Sequence, residues 1–173
     1  MSIAVEIREA RVPEYRQVAQ MHYRAWRQSY QGIIAAVLLD LFDDPLHWAY
    51  NVYPEKLSQP GWTMWLAESA GQLVGVSIYG PEPDRPDRLE IDALYVVPEH
   101  QGQRVGSLLM ADALTAHSSG DVVLWCAEQN HRARRFYEAK GFELDGRRWD
   151  WKPIPGLAVP QVGYIFKRSV SKA

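Results

Sequence analysis

One segment of the chain has the residue types of an anion-binding turn. The apolar run from Leu94 to Val97 is stopped by Pro98, and a helical pattern begins at Gly106. A loop that leads from a strand into a helix presents backbone N–H groups, and these donors, with the positive end of the helix dipole, can hold a pyrophosphate. Gly102 and Gly106 would let the backbone come close to it. Glycines before a helix also serve as plain turn residues, so this loop alone does not identify a ligand.

A second segment, from Asn130 to Phe142, carries another ordered set of residues. Asn130 is of a type that caps helices, Phe136 and Tyr137 form an aromatic pair, and Gly141 stands where the helix pattern ends. Each of these features also occurs in purely structural helices. The two segments together are more informative than either one.

Taken in order, the two segments resemble the signature of the GNAT superfamily of N-acetyltransferases. The matching positions are Leu94-x-Val96, then Gln101-x-x-x-x-Gly106, then Asn130-x-x-Ala133-x-x-Phe136-Tyr137-x-x-x-Gly141-Phe142. The resemblance is close over residues 89–142 and implies a single N-acetyltransferase domain over residues 1–173. It implies an enzyme that transfers an acetyl group from acetyl-CoA, its cosubstrate, to a primary amine of a small molecule or peptide by direct attack.

The resemblance also implies where acetyl-CoA binds. The strand with Leu94, Tyr95 and Val96 would splay from its neighbour and pair with the pantetheine arm, which Asn130 would also contact. The pyrophosphate would lie in the loop that follows this strand. The loop residues implied are Gln101, Gly102, Gln103, Arg104, Val105, Gly106 and Ser107.

Arg104 departs from the family pattern, which usually has glycine at this position. Its fixed charge and fork of donors suit phosphate oxygens, whereas a solvated arginine that points away is equally ordinary. The choice between a phosphate contact and a solvated side chain applies also to Arg132, Arg134 and Arg135. A run of charges on a helix is usually a solvated face.

Acyl transfer from a thioester to an amine needs a neutral nitrogen, a group that stabilises the oxyanion, and a proton for the leaving thiolate. By resemblance, Tyr137 would be the general acid at the coenzyme sulfur, and the Val96 N–H would polarise the thioester carbonyl. Glu90 and Asp92 share strand alternation with Leu94, so both would face the same cleft if no bulge intervenes. Glu90 ranks first as the base, because the base glutamate of some protein-acetylating members also stands four residues before the Leu94 position. A solvated sheet face, or a water chain in place of either carboxylate, stays open.

The elements that must position these residues are predicted to form an α/β fold. We expect a mixed, mostly antiparallel central sheet of six to seven strands flanked by about four helices, as in GNAT-like acyl-CoA N-acyltransferases. A strand from Val5 to Arg8 precedes an amphipathic helix that starts near Pro13. Residues 37–53 predict a second helix, either continuous or interrupted at Pro45.

Later elements alternate strands with helices. Residues 62–68 and 72–79 predict a hairpin, and three prolines predict a loop over residues 80–87. A final run at 162–167 is expected to close the sheet. Between the loop and this last strand, strands are predicted at 89–97, 122–127 and 144–152, and helices at 106–117 and 132–140.

The resemblance also implies where the amine acceptor binds. This acceptor side would lie between the first two helices, their loop and the late hairpin. Aromatic residues there would form an apolar or cation-binding wall, or simply pack in the core. The acidic residues Asp40, Asp43 and Asp44 either attract a cationic acceptor or belong to an ordinary surface. The acceptor itself is not readable from the sequence. The aromatic residues concerned are Trp26, Tyr30, Trp48, Tyr53, Trp149, Trp151 and Tyr164.

Composition narrows the function classes. The 173 residues are 47% hydrophobic and 23% charged, as in globular proteins, and the formal net charge of -2 argues against nucleic acid or membrane partners. One cysteine, Cys126, and five histidines without ligand spacing predict no metal. Charged residues near the start and the lack of a long apolar run predict a cytoplasmic protein.

Two other functions compete with the enzyme. A non-catalytic acyl-CoA-binding regulatory module would keep the coenzyme cleft without the transfer chemistry. A dinucleotide-binding domain is disfavoured because the loop lacks the three-glycine spacing. Exposed edge strands and aromatic residues near the end of the chain make a homodimer possible.

Overall fold

The computed structural model describes residues 4–42 and 44–168, and its centre is a seven-stranded sheet. The strand order is β1-β2-β3-β4-β5-β7-β6, with β4 and β5 parallel and the other neighbouring pairs antiparallel. The predicted mixed sheet is confirmed, although the last strand lies inside it and does not close its edge. The strands are β1 (Val5–Glu9), β2 (Thr63–Ser69), β3 (Gln72–Glu82), β4 (Arg85–Val96), β5 (Val122–Ala127), β6 (Glu143–Trp151) and β7 (Val159–Phe166).

The helices pack on this sheet, and none in the described part of the chain is long and apolar enough to cross a membrane. A 3-10 turn at Val12–Glu14 leads into the first helix, and another at Pro98–His100 follows β4. The helices are α1 (Tyr15–Tyr30), α2 (Ala36–Leu39), α3 (Pro45–His47), α4 (Tyr53–Leu57), α5 (Val105–Ala116) and α6 (His131–Ala139).

The prediction of one helix over residues 37–53 is wrong, whereas the interruption at Pro45 that the sequence allowed is observed. Helix α2 ends at Leu39, and α3 restarts at Pro45, where the Asp44 carboxylate accepts a hydrogen bond from the Leu46 N–H at 2.9 Å. Proline lacks a backbone N–H, so it fits the first turn of a new helix better than the interior of a long one. A π-helical turn, Trp48–Val52, joins α3 to α4. Asp43 lies outside the described residues.

The predicted loop over residues 80–87 is also wrong. Strand β3 extends to Glu82 and β4 begins at Arg85, so the two strands form a long hairpin with a two-residue turn. The pairing register shifts between Pro81 and Glu82, and Pro86 lies in the stretch skipped by that shift. Prolines at such irregular positions cost few ladder hydrogen bonds, which is why they do not end the strands.

Two irregularities in β4 open the sheet. Ile78 pairs with Ala93 and Tyr79 with Ile91, so Asp92 is an extra residue in a β-bulge. On its other edge, β4 pairs with β5 only from Leu89–Val122 to Ile91–Leu124. Beyond that point the two parallel strands separate.

A buried histidine ties the first helices to β4. The His22 ring lies 4.6 Å from the Trp48 ring and 4.9 Å from the Tyr95 ring, and its Nδ1 is 2.8 Å from the Tyr53 hydroxyl. Burial lowers the pKa of His22 to about 3, so the ring is neutral near pH 7. These contacts hold α1 and α4 against the strand that borders the gap.

This burial predicts a pH-dependent part of the stability. Below pH 6.5 the unfolded chain protonates His22, whereas the folded protein does so only near pH 3. The free energy of unfolding should therefore fall by about 1.4 kcal/mol from this residue alone between about pH 7.5 and 5.5. In His22→Gln this part of the pH dependence should disappear, as measured by urea unfolding at both pH values.

His131→Gln is the control, because His131 is exposed. It should keep the wild-type pH dependence. An unchanged pH dependence in His22→Gln would show that the buried ring is not what couples stability to protonation.

Candidate active site

A groove of about 830 Å³ opens where β4 leaves β5. Its walls come from the end of α1, the second half of β4, the loop before α5, and the first turns of α6. Most of the cofactor residues predicted from the sequence meet here. These are Leu94, Tyr95, Val96, Gln101, Gly102, Arg104, Gly106, Ser107, Asn130 and Tyr137.

Backbone geometry turns the Val96 N–H toward the gap. The Val97 N–H donates to the Val74 carbonyl at 2.9 Å, across to β3. Neighbouring residues of a strand point their N–H groups to opposite sides, so the Val96 N–H faces the side that β5 has left. The Gln101 side chain donates to the Val96 carbonyl at 2.9 Å and to the Gln28 side chain at 3.2 Å. The loop is thereby fixed to both β4 and α1.

The loop itself reaches α5 through two left-handed residues. Gly102 has φ of 77° and Arg104 has φ of 70°, and the helix begins at Val105. The first N–H groups of this helix have no acceptors within it and point into the loop. A Cβ on Gly106 would lie 3.4 Å from Phe136, so α5 and α6 approach each other closely at this position.

Two predicted cofactor residues do not line the groove. Val105 is buried in the core, with 1% of its surface exposed, so only its backbone is available to a ligand. The Gln103 side chain donates instead to the Glu99 carbonyl at 2.8 Å. Both stabilise the loop from behind.

Arg104 lines the groove from a strained backbone position. A left-handed conformation costs a residue with a Cβ about 1–2 kcal/mol, which explains why glycine is usual at this position. Of the α6 arginines, Arg132 also lines the groove, whereas the Arg134 side chain turns away to the Tyr164 hydroxyl at 3.0 Å. Arg135 is exposed and lies outside the groove.

Tyr137 stands at the inner end of the groove. Its ring packs on Phe136 at 5.5 Å and on Phe142 at 6.1 Å. Burial raises the pKa of Tyr137 far above its ordinary value, so the hydroxyl keeps its proton. Asn130 caps α6, since its side-chain oxygen accepts from the Ala133 N–H at 3.1 Å, and it lines the groove as well.

A smaller cavity of about 80 Å³ adjoins the inner end of the groove, between the separated strands. Asp92 lines this cavity together with Tyr137, but Glu90 does not. The bulge at Asp92 explains the difference. It puts Ile91 and Leu94 on the same face of β4, in one core cluster, so Glu90 lies on the opposite face. Glu90 and Leu94 were expected to share a face only in the absence of a bulge, and this bulge separates them.

The two carboxylates differ in their partners. The Lys56 ammonium contacts Asp92 at 3.1 Å, while no ion pair is formed by Glu90 with any residue in 4–42 or 44–168. Burial, followed by repulsion from Asp92, raises the pKa of Glu90. Glu90 is thus a half-buried carboxylate close to Asp92 and available for a proton.

The aromatic residues expected on the acceptor side include one group beside this cavity and another in the core. Trp26, Tyr30 and Trp151 pack together next to the cavity, with Tyr30 forming part of its wall. Tyr53 and Tyr164 are buried in the core.

Sequence reasoning missed several lining residues. Trp125 lines the small cavity, while Gln28, Gln31 and Gln129 line the groove. Their residue types carry no signal for a ligand, because glutamines at helix ends and a tryptophan in a strand are usual structural residues.

Comparisons with known proteins agree with this geometry. Residues 12–142 match the model of the Acetyltransferase (GNAT) family. The chain is 47% identical over 165 residues to a probable N-acetyltransferase of Mycobacterium tuberculosis, covering 95% of each chain.

Solved structures have the same fold. A PaiA N-acetyltransferase from Thermoplasma acidophilum, in complex with coenzyme A, superposes with a TM-score of 0.73 at 17% identity, covering 96% of this chain and 100% of that one. YncA from Salmonella typhimurium, solved with acetyl-CoA, superposes with a TM-score of 0.71 at 18% identity, covering 98% of this chain and 97% of that one. Because the family model spans most of the chain and the groove lies within that span, the protein belongs to the GNAT acetyltransferase family.

Proposed function

We propose that the protein is an N-acetyltransferase that moves the acetyl group of acetyl-CoA directly to a primary amine of a small molecule or peptide. The observation that carries this proposal is the shared wall of the two cavities, where Tyr137 and Leu94 border both the groove and the gap between β4 and β5. The related PaiA and YncA structures hold coenzyme A and acetyl-CoA. A coenzyme in the groove would bring its thioester to this wall, and an amine would reach it from the gap.

The residues suit each requirement of the coenzyme. The pyrophosphate would lie against the backbone donors of Gly102 to Gly106 and the charge of Arg104, because oriented N–H groups and a helix N-terminus stabilise anions. The pantetheine arm would pair with β4 where β5 has left it. The Val96 N–H would then donate to the thioester carbonyl and stabilise the oxyanion as the amine attacks.

Tyr137 would protonate the departing thiolate. Its phenol is protonated at neutral pH and borders both cavities, so it can donate at the sulfur when the tetrahedral intermediate collapses. The electron pair of the C–S bond goes to sulfur, and the tyrosine proton follows it. Solvent later restores the proton.

A covalent acyl-enzyme is disfavoured. Cys126 lines the small cavity, yet burial raises its pKa to about 12. A thiol nucleophile acts as the thiolate, which is scarce at such a pKa. Direct attack by the amine therefore fits these residues better than a two-step transfer.

Glu90 would be the general base, with Asp92 beside it at the mouth of the gap. A raised pKa makes Glu90 a stronger proton acceptor than an ordinary carboxylate. Asp92 is paired with Lys56 and would chiefly attract the ammonium form of the acceptor. Because Glu90 lines neither cavity, the proton would pass from the amine to Glu90 through water.

The function can be tested by supplying acetyl-CoA with a panel of primary amines and one peptide with a free amino group. Released thiol and acetylated product, identified by mass spectrometry, should appear together for at least one acceptor. Tyr137→Phe should lower kcat by ~10²–10⁴-fold, while calorimetry should show nearly unchanged acetyl-CoA affinity because the ring remains. Tight coenzyme binding without any product would favour the regulatory module instead.

The roles of the two carboxylates can be separated by a matched pair of variants. Glu90→Gln should lower kcat/KM by ~10²-fold or more and remove the fall in rate toward acid pH, because a general base must be deprotonated. Asp92→Asn should mainly raise KM for the amine and keep the acid limb. The opposite pattern, with the acid limb lost only in Asp92→Asn, would reverse the assignment.

Arg104→Gly should separate stability from coenzyme binding. Removing the left-handed Cβ strain should raise the free energy of unfolding by about 1 kcal/mol, whereas loss of a charge-assisted phosphate contact should weaken acetyl-CoA binding by ~10-fold. Ala70→Gly is the matched control, because Ala70 has φ of 49° in the turn between β2 and β3. It should stabilise the fold and leave coenzyme affinity unchanged, and equal affinity in Arg104→Gly would mean that the arginine does not touch phosphate.

A further inference from the structure

The cavity between the separated strands is small. It measures about 80 Å³ and adjoins the inner end of the much larger groove. The residues that border both spaces are Ser29, Leu94, Tyr95, Asn130, Ala133 and Tyr137.

Tyr30 is the aromatic side chain that α1 contributes to this cavity, and it is absent from the groove wall. Its ring lies 5.0 Å from the Trp26 ring and 5.5 Å from the Trp151 ring. Its carbonyl accepts hydrogen bonds from the N–H groups of Ile33 and Ile34, both at 3.0 Å. Packed on two tryptophans and anchored at its backbone, Tyr30 is a rigid wall.

The volume of the cavity matches a short acyl group. An apolar cavity of about 150 Å³ binds benzene, which has six heavy atoms, so a cavity of about 80 Å³ has room for about three heavy atoms. An acetyl group has three heavy atoms, and a butyryl group adds two methylenes. A butyryl group therefore exceeds the space that the cavity provides beside Tyr30.

We propose that Tyr30 sets the acyl-chain limit of the enzyme and favours the acetyl group over longer acyl chains. This inference rests on the proposed function, because it places the acyl group in the cavity next to Tyr137. The other large side chains of the wall are fixed by other tasks. Tyr137 is the proposed acid, Tyr95 packs on His22, and Trp125 is held beneath Arg147, whose guanidinium lies 4.6 Å from its ring.

The test compares acetyl-, propionyl- and butyryl-CoA with one accepted amine. The wild-type enzyme should prefer acetyl-CoA to butyryl-CoA by at least ~10-fold in kcat/KM, the discrimination that one excess methylene commonly produces in a tight pocket. Tyr30→Ala should raise the butyryl-to-acetyl ratio of kcat/KM by at least ~10-fold, because removing the ring enlarges the cavity. Tyr30→Phe keeps the ring and should keep the wild-type ratio.

Tyr23→Ala is the control, since Tyr23 lies on the same helix, packs on Trp26 and Trp48, and lines neither cavity. It should leave the ratio unchanged. If Tyr30→Ala does not fold, as judged by its thermal melt, Tyr30→Leu is measured instead, with a smaller shift in the same direction.

Failure of this inference differs from failure of the proposed function. Equal use of butyryl- and acetyl-CoA by the wild type, or an unchanged ratio in Tyr30→Ala, would overturn the role of Tyr30 while acetyl transfer stands. If no amine is acylated, the proposed function fails, and calorimetry still tests Tyr30. The ratio of the acetyl-CoA and butyryl-CoA Kd values should shift toward butyryl-CoA in Tyr30→Ala, and an unshifted ratio would overturn the inference.

Discussion

The site depends on the loss of pairing between two parallel strands. β4 and β5 share hydrogen bonds as far as Ile91 and Leu124 and then separate. Unpaired backbone groups inside a protein are costly, so an opening in the middle of a sheet persists only when the surroundings hold it apart. Here the bulge at Asp92 bends β4, and the Gln101 side chain takes up the Val96 carbonyl at the end of the strand.

The helices on either side hold the gap between β4 and β5 open, and the charged groups at its two ends differ in sign. On the coenzyme side, α5 and α6 meet closely at Gly106, and the loop between β4 and α5 presents backbone donors with the charge of Arg104. On the other side, the carboxylates of Glu90 and Asp92 lie near the gap with Lys56. An anionic donor and a cationic acceptor would therefore approach the same point from opposite ends, each drawn by charge of the opposite sign.

Sequence reasoning predicted the parts of this site that depend on local pattern. The loop from Gln101 to Ser107 and the helix cap at Asn130 arise from residue types at short spacing, and the structure brings both to the groove. It did not predict the β4 bulge, because one extra residue in a strand leaves no mark on an apolar pattern and yet reverses which face Glu90 occupies. It also took the prolines of residues 80–87 for a loop, since the partner strand that tolerates them is a tertiary feature. Trp125 reaches the cavity through long-range packing, which no local pattern records, and Tyr30 was expected on the acceptor side by resemblance alone.

The same packing explains why a buried thiol and three half-buried phenols can line the gap and stay neutral near pH 7. Burial raises the pKa of Cys126 and Tyr30 to about 12 and raises those of Tyr95 and Tyr137 as well. Each group therefore stays neutral, so none competes with the incoming amine as a nucleophile, and each hydroxyl keeps a proton to donate. Glu90 has its pKa raised by the same cause, but for a carboxylate this strengthens its ability to take a proton. A single physical effect, desolvation, thus keeps the phenols and the thiol neutral and makes Glu90 a stronger proton acceptor, which is the protonation pattern that the proposed transfer would need.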